Sequence, residues 1–283
     1  MSNHEIAETV IETVAAAAPE IRAGLPGRRT AVNGENPSDE IQMAADIWAD
    51  ELLCDRLTAI DGVGTYASEE RADPVHEGDG LSVSVDPLDG SSNLQSNNAM
   101  GTIVGVYADS VPAPGTELIA SGYVLYGPIT TMTVAIDGQV TEYVIEDTGA
   151  IRPVETDVTL PSDPVVFGFG GRQQNWTDGF HAFAEEIREE LKLRYGGAMI
   201  ADVNQVVTYG GIFSYPGLVD RPEGKLRLQF EGAPIAYVLE SAGGASTDGD
   251  RSLIEKTPEE LHERTPVHLG NQALIDRVEA ALD

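Results

Sequence analysis

Cations are scarce in this chain. Against 47 aspartates and glutamates stand 17 lysines and arginines, and lysine occurs only at Lys192, Lys225 and Lys256, leaving a formal net charge of −30 over 283 residues. Such a surface repels phosphate backbones and anionic lipid, which argues against nucleic acid and membrane as partners. In dilute buffer the same charge opposes compaction. Molar salt shortens the Debye length to ~3 Å and removes most of that repulsion, so the composition points to a halophilic source. Cysteine is nearly absent: Cys54 stands alone, no intrachain disulfide can form, and a reducing compartment fits. Long apolar runs are missing too. No stretch approaches a membrane span, and Met1 to Glu12 lacks the basic-then-apolar order of a secretion signal, so a cytoplasmic location is expected. Core material is plentiful: with 41% hydrophobic residues in periodic segments, the chain is a folded protein rather than an acidic disordered one.

The periodicity predicts a helix over Glu5 to Arg22, with Val10, Val14, Ala17 and Ile21 on one stripe, and a loop from Gly27 to Asn36. A second helix is expected from Ser38 to Leu57, burying Ile41, Ala45, Trp48 and Leu52 and turning Asp46 away. Strands follow at Leu81 to Val85, Ile103 to Tyr107, Ala120 to Tyr126, Met132 to Ile136 and Thr141 to Ile145, the last two joined by an Asp137-Gly138 hairpin turn. The threonine, aspartate and proline of Val154 to Pro164 mark a domain junction, giving domains 1–157 and 158–283. Beyond it helices and strands alternate. Strands are expected at Val165 to Phe169, Gly211 to Tyr215 and Pro266 to Leu269, and helices at Trp176 to Leu193, Met199 to Thr208 and Pro234 to Ala242. A final helix starts at Gln272 with Asn271 as N-cap. The fold class is α+β: helices on a mainly antiparallel sheet, then an α/β domain.

Chemistry concentrates in Asp86-Pro87-Leu88-Asp89-Gly90-Ser91-Ser92-Asn93. A strand ending at Val85 sets two carboxylates three residues apart at the sheet edge, where hard cations find oxygen ligands. Gly90 permits a tight turn, and a helix starting near Ser91 would offer N–H groups to a phosphate. Asp-Pro or Asp-Gly alone usually means an ordinary turn, but the whole string is far more specific. Glu69-Glu70 carries no weight as a pair, because adjacent acids occur about as often as composition predicts. Its position within about twenty residues of Asp86 lets a second strand end deliver it to the same edge. Asp46 alone reads as a solvated helix residue. In Gly224-Lys225-Leu226-Arg227-Leu228-Gln229-Phe230-Glu231, a strand would put Lys225, Arg227 and Glu231 on one face. A surface ion pair is the bland alternative, and the scarcity of lysine favours anion binding.

With these residues in view, the sequence resembles the class I fructose-1,6-bisphosphatases, within the metal-dependent sugar phosphatase superfamily that includes inositol monophosphatases. The similarity rests on Asp86 to Asn93, Ala67-Ser68-Glu69-Glu70, Asn36 to Asp46, Gly122 to Gly127, Arg194-Tyr195, Gly210 to Pro216 and Lys225 to Pro234, in the family's order, and spans roughly residues 33 to 280. The resemblance implies a layered αβαβα fold and a gluconeogenic hydrolysis of the 1-phosphate of fructose 1,6-bisphosphate by metal-activated water, in a homotetramer.

It also implies that Glu69, Glu70, Asp86, Asp89, Glu231 and the Leu88 carbonyl surround two or three Mg²⁺ or Mn²⁺ ions, with Asp46, Glu70 and Glu69 as the catalytic group. Gly90, Ser91, Ser92 and Asn93 would hold the transferred phosphate, with Arg227 near it. Tyr195, Tyr215 and Lys225 would hold the distal phosphate, helped by Arg194 of a neighbouring subunit. Two departures stand out. The family's Asn-Glu-Gly-Tyr segment is Gly170-Gly171-Arg172-Gln173 here, where Arg172 is a candidate substitute, and the Lys-Tyr pair that binds AMP in animal enzymes is Gly80-Leu81. An inositol-phosphatase-like enzyme and a non-catalytic sugar-phosphate sensor are the rival readings. A dinucleotide site at Gly168 to Gln173 fails for want of its third glycine.

Overall fold

The computed structural model describes residues 1–35, 37, 41–76 and 78–282. Ser2 opens α1 (Asn3–Gly24) through a capping box: its hydroxyl accepts the Glu5 N–H, and the Glu5 carboxylate accepts the Ser2 N–H at 2.7 Å. The expected stripe is buried, extended by Ile6. The expected loop after it is not all loop. Ala31–Glu35 forms β1, paired antiparallel with β2 (Ile41–Met43), and α2 begins at Ala44 and ends at Leu57. Asn36 and Ser38 to Glu40 lie outside the described residues. The face of α2 also differs from expectation. Ala45, Ala49, Leu53 and Leu57 are buried together with Asp46 and Asp50, while Trp48 and Leu52 are half-buried.

Next come β3 (Val63–Ser68), β4 (Val75–His76), β5 (Leu81–Asp89), the single turn α3 (Asn93–Ser96), β6 (Met100–Tyr107), β7 (Leu118–Tyr126), β8 (Thr130–Ile136), β9 (Gln139–Ile145) and β10 (Ile151–Thr156). They form one sheet in the order β10-β9-β8-β7-β6-β5-β3-β4, antiparallel except where β3 runs parallel to β5. The β8–β9 turn is made by Asp137 and Gly138 with φ of 51° and 75°, the double positive φ of a type I′ hairpin. β10 stays paired with β9 to Thr156, three residues into the expected junction, with a register shift between Pro153 and Glu155.

The remainder supplies β11 (Val166–Phe169), α4 (Asp178–Glu190), β12 (Lys192–Leu193), α5 (Met199–Tyr209), β13 (Gly211–Tyr215), β14 (Leu226–Arg227), α6 (Ala233–Ser241), β15 (Ala245–Thr247), β16 (Arg264–Thr265), β17 (Val267–Gly270) and α7 (Gln272–Leu282). The second sheet, β12-β11-β13-β17-β15, is parallel around β11 and antiparallel around β17. Three apolar clusters stack these parts. Helices α1 and α2 pack on one face of the large sheet through Val83, Val85, Val104 and Val124. Its other face, with Ile103 and Tyr123, meets α5 and α6, which also cover Phe213 and Leu269 of the small sheet. Phe167, Phe169 and Ile212 face α4 and α7 outside. The layers are αβαβα, so β5 and β6 are buried on both faces; β6 reads as a nearly continuous apolar strand, while β5 alternates its apolar residues with the small Ser82 and Ser84.

Three local readings need correction. α4 is shorter than Trp176 to Leu193, because Trp176 instead packs edge-on against Phe180 at 5.1 Å and donates its indole N–H to Gly170 O. The Lys225 to Glu231 segment is not one strand: after β14 the chain makes one π turn, Leu228–Gly232, into α6. Asn271 does not use its side chain to cap α7. Its Oδ1 accepts Gly211 N–H at 2.7 Å and its Nδ2 donates to Pro161 O, tying the strand ends together.

His268 on β17 is fully buried beside Ser214, its cross-strand neighbour, with 2.9 Å between Nδ1 and the hydroxyl. Burial pushes its pKa down to about 4. The unfolded chain takes up this proton near pH 6.5 and the native state only near 4. The contribution is therefore complete above pH 6.5 and falls on acidification by about 3 kcal/mol across that window. Urea unfolding of His268→Asn and the parent at pH 7 and pH 4 should show the parent losing about that much more stability than the variant. Equal losses would mean the ring is not held neutral.

Candidate active site

The strand β5 passes the point where the sequence suggested it would stop. Pairing with β6 puts Asp86 opposite Ile103 and Asp89 opposite Gly101, with a register shift between, so a bulge at Pro87 and Leu88 re-aims Asp89. β3 runs alongside in parallel, and the Glu69 N–H donates to Val85 O, bringing Glu69 next to Asp86. Glu231 arrives from the far half of the chain on the π turn. One carboxylate oxygen each from Asp86, Asp89 and Glu231 lie within 4.8 Å of one another, and all three residues are buried.

Charges at that spacing need compensation. Burial, then the charges of Glu69 and Asp89, pushes Asp86 well above the carboxylate range; burial and Glu69 do the same to Glu231, against the pull of Arg227. Burial raises Asp89 to about 6, moderated by the Ile200 N–H, which donates to Oδ2 at 2.8 Å. The internal counter-charge is Arg227, 2% exposed, with Nη2 2.9 Å from Glu69 Oε1 and Nη1 3.8 Å from Glu231 Oε2. One guanidinium against four carboxylates leaves an acidic, oxygen-rich cluster whose donor set suits a hard divalent cation.

The cluster floors a cavity of about 460 Å³ lined by Asp46, Glu69, Glu70, Asp86, Leu88, Asp89, Gly90, Ser91, Ser92, Tyr195, Tyr215, Lys225, Arg227 and Glu231. Every sequence-proposed site residue except Asn93 and Arg194 is among them. The Asn93 amide is turned aside, donating to Ala99 O and Gly196 O, and Arg194 is exposed, with its N–H bound to Phe167 O. Arg172 is absent from the lining and sits in a separate surface depression with Trp176 and His181. The segment behind it still shapes the cavity, since a Cβ on Gly170 would lie 2.2 Å from the Tyr215 ring. The helix imagined at Ser91 starts at Asn93 and spans four residues; Ser91 N–H is taken by Leu88 O at 3.0 Å.

Asp46 reaches the cavity because α2 buries it, and its Oδ2 caps its own helix by accepting Met43 N–H at 2.7 Å. One turn on, buried Asp50 accepts the Tyr66 hydroxyl at 2.9 Å and Arg71 Nε at 2.7 Å, bracing the Glu69-Glu70 turn against α2. Sequence reasoning missed Asp202 and the Gly197 to Met199 wall. The available signal was a single acid inside the apolar run Ala198-Met199-Ile200-Ala201-Asp202-Val203.

Comparisons with known proteins show the family. The family model described as fructose-1-6-bisphosphatase, N-terminal domain, matches residues 7–154, and the one described as fructose-1-6-bisphosphatase, C-terminal domain, matches residues 160–283. A protein of Natronomonas pharaonis named fructose-1,6-bisphosphatase class 1 is 60% identical over 277 residues, covering 97% of this chain and 98% of its own. This chain belongs to the fructose-1,6-bisphosphatase family. A Haloarcula marismortui member of that family is 60% identical over 274 residues, covering 97% of this chain and 94% of its own. The structure of Leishmania major fructose-1,6-bisphosphatase in holo form superposes with a TM-score of 0.91 at 27% identity, covering 99% of this chain and 94% of that one. The fructose-1,6-bisphosphatase family is metal-dependent, and its haloarchaeal members fit the halophilic reading of the net charge. Among the described residues no helix is long and apolar enough to cross a membrane.

Proposed function

We propose that this chain hydrolyses fructose 1,6-bisphosphate to fructose 6-phosphate and inorganic phosphate. The observation that carries the reading is the convergence of Asp86, Asp89, Glu231 and Glu69 from distant segments in one cavity that also holds Lys225. Glu69, Glu70, Asp86, Asp89, Glu231 and the Leu88 carbonyl would hold two or three Mg²⁺ or Mn²⁺ ions. Bound there, such ions would acidify water and neutralise developing charge on phosphate and alkoxide.

The residues of the chain supply the rest. Asp46 and Glu70 orient the attacking water and take its proton at a carboxylate oxygen. Backbone groups of Gly90 to Ser92 seat the transferred phosphate, with Arg227 balancing charge beside it. As the water oxygen bonds to phosphorus, the bond to the sugar oxygen breaks. Tyr195, Tyr215 and Lys225 take the distal phosphate. The outward-facing Arg194 supports a role on a neighbouring subunit's cavity in a homotetramer. The same reading keeps two domains, 1–157 and 158–283, and a cytoplasmic setting.

The test is phosphate release from fructose 1,6-bisphosphate with Mg²⁺ or Mn²⁺ in molar KCl, against inositol 1-phosphate. Preference for inositol 1-phosphate would overturn the substrate. Lys225→Ala should raise KM for the bisphosphate at least tenfold with kcat little changed, and have a smaller effect on a monophosphate ester. An equal effect on both would remove Lys225 from the distal site.

A further inference from the structure

One buried carboxylate of the cavity has no part in this mechanism. Asp202, in the first turn of α5, is 3% exposed; its Oδ1 accepts Gly196 N–H at 2.6 Å, and the Gly197 N–H also favours its ionised carboxylate. Its Oδ2 is buried without a hydrogen-bond partner among the described residues. From the other side, Gly196 O accepts the amides of Asn93 and Asn98, each at 2.9 Å. Both backbone groups of Gly196 are thus held, one by α5 and the other by the loop carrying the proposed phosphate site.

The contacts around Gly196 make this a joint between two walls. Gly90 has φ +75°, and a Cβ there would lie 2.2 Å from the Ala198 methyl, so the loop and the segment touch directly. Ala198 offers no side-chain cap to α5, and the Ile200 N–H is satisfied across the gap by Asp89. Tyr195 precedes the joint, and Gly197, Ala198 and Met199 follow it, all lining the cavity. Leaving a carboxylate oxygen buried and unpaired is costly. Burial, opposed by the two glycine N–H groups, raises this acid to about 7.

We propose that Asp202 is a positioning residue for the sugar: by holding Gly196 opposite Asn93, it fixes where Tyr195 and the Gly197 to Met199 wall stand relative to the phosphate loop. The proposal rests on the reading of the cavity as a sugar bisphosphate site. Asp202→Ala should raise KM for fructose 1,6-bisphosphate at least tenfold and change kcat less than threefold. Asp202→Leu, which fills the space without an acceptor, should do the same. Asp202→Asn, which keeps an oxygen for the Gly196 N–H, should restore KM to within threefold. Cleavage of p-nitrophenyl phosphate, which has no sugar, should be unaffected in all three. An unchanged KM in both Ala and Leu, an equal loss on p-nitrophenyl phosphate, or an Asn variant as poor as Leu would each overturn the proposal. If the parent releases no phosphate from fructose 1,6-bisphosphate, the substrate reading fails by itself. The joint is then judged by amide hydrogen exchange at Gly196 and Gly197, accelerated at least tenfold in Leu but not in Asn if it stands.

Discussion

Asp89→Asn should lower turnover about 10³-fold or more while leaving the protein folded. The substitution removes a charge but keeps an oxygen able to accept the Ile200 N–H, so the bond between β5 and α5 survives. What is lost is one of three carboxylates whose oxygens lie within 4.8 Å of one another. A thousandfold drop corresponds to about 4 kcal/mol of transition-state stabilisation, reasonable for a site whose work is positioning and charge neutralisation. The same change should not harm the metal-free protein, because it takes a charge out of a buried, like-charged group. The decisive measurement is therefore thermal. Mn²⁺ should raise the melting temperature of the parent through linkage and raise that of Asp89→Asn much less. A variant keeping more than about a tenth of parental activity, or the full Mn²⁺ shift, would remove Asp89 from the cation site.

Much of this site was readable before the fold, and the reasons differ from residue to residue. The large sheet was legible because Leu81 to Val85 alternates, short apolar runs follow it, and the Asp137-Gly138 turn fits a tight hairpin. Proximity of Glu69 to Asp86 followed from two strands ending together, which parallel pairing delivers. The face of α2 was misread because a periodicity argument treats charge as exposure, whereas Asp46 and Asp50 are buried in line with Ala45, Ala49 and Leu53. Each has a donor waiting: Met43 N–H for Asp46, Tyr66 and Arg71 for Asp50. Arg227 and Glu231 meet although no strand joins them, since one π turn folds Glu231 back to accept the Arg227 N–H at 2.7 Å. Asp202 left one trace, a lone acid in an apolar run, but its role was not legible because its partner is the backbone N–H of Gly196, which neither a motif nor a charge pattern reports.

Removing Arg227 should strongly destabilise the metal-free protein. Its side chain is 2% exposed and lies between Glu69 and Glu231, in a cluster that also contains Asp86 and Asp89. Arg227→Met keeps most of the aliphatic volume and deletes the charge. The remaining carboxylates must then either stay ionised with the more distant Lys225 as their cation or take up protons. Breaking a buried pair from one side typically costs 3–5 kcal/mol, and here the orphaned acids also repel one another. Urea unfolding after chelation should show a loss of about 3 kcal/mol or more. Adding Mn²⁺ should recover a larger share of stability in Arg227→Met than it adds to the parent, since a divalent cation and the guanidinium neutralise the same oxygens. Molar KCl should not substitute, because screening acts on exposed charges and reaches buried ones poorly. Were Arg227→Met as stable as the parent without divalent ions, the carboxylates would have to be neutral there. Arg227 would then no longer count as the internal counter-ion of this cluster.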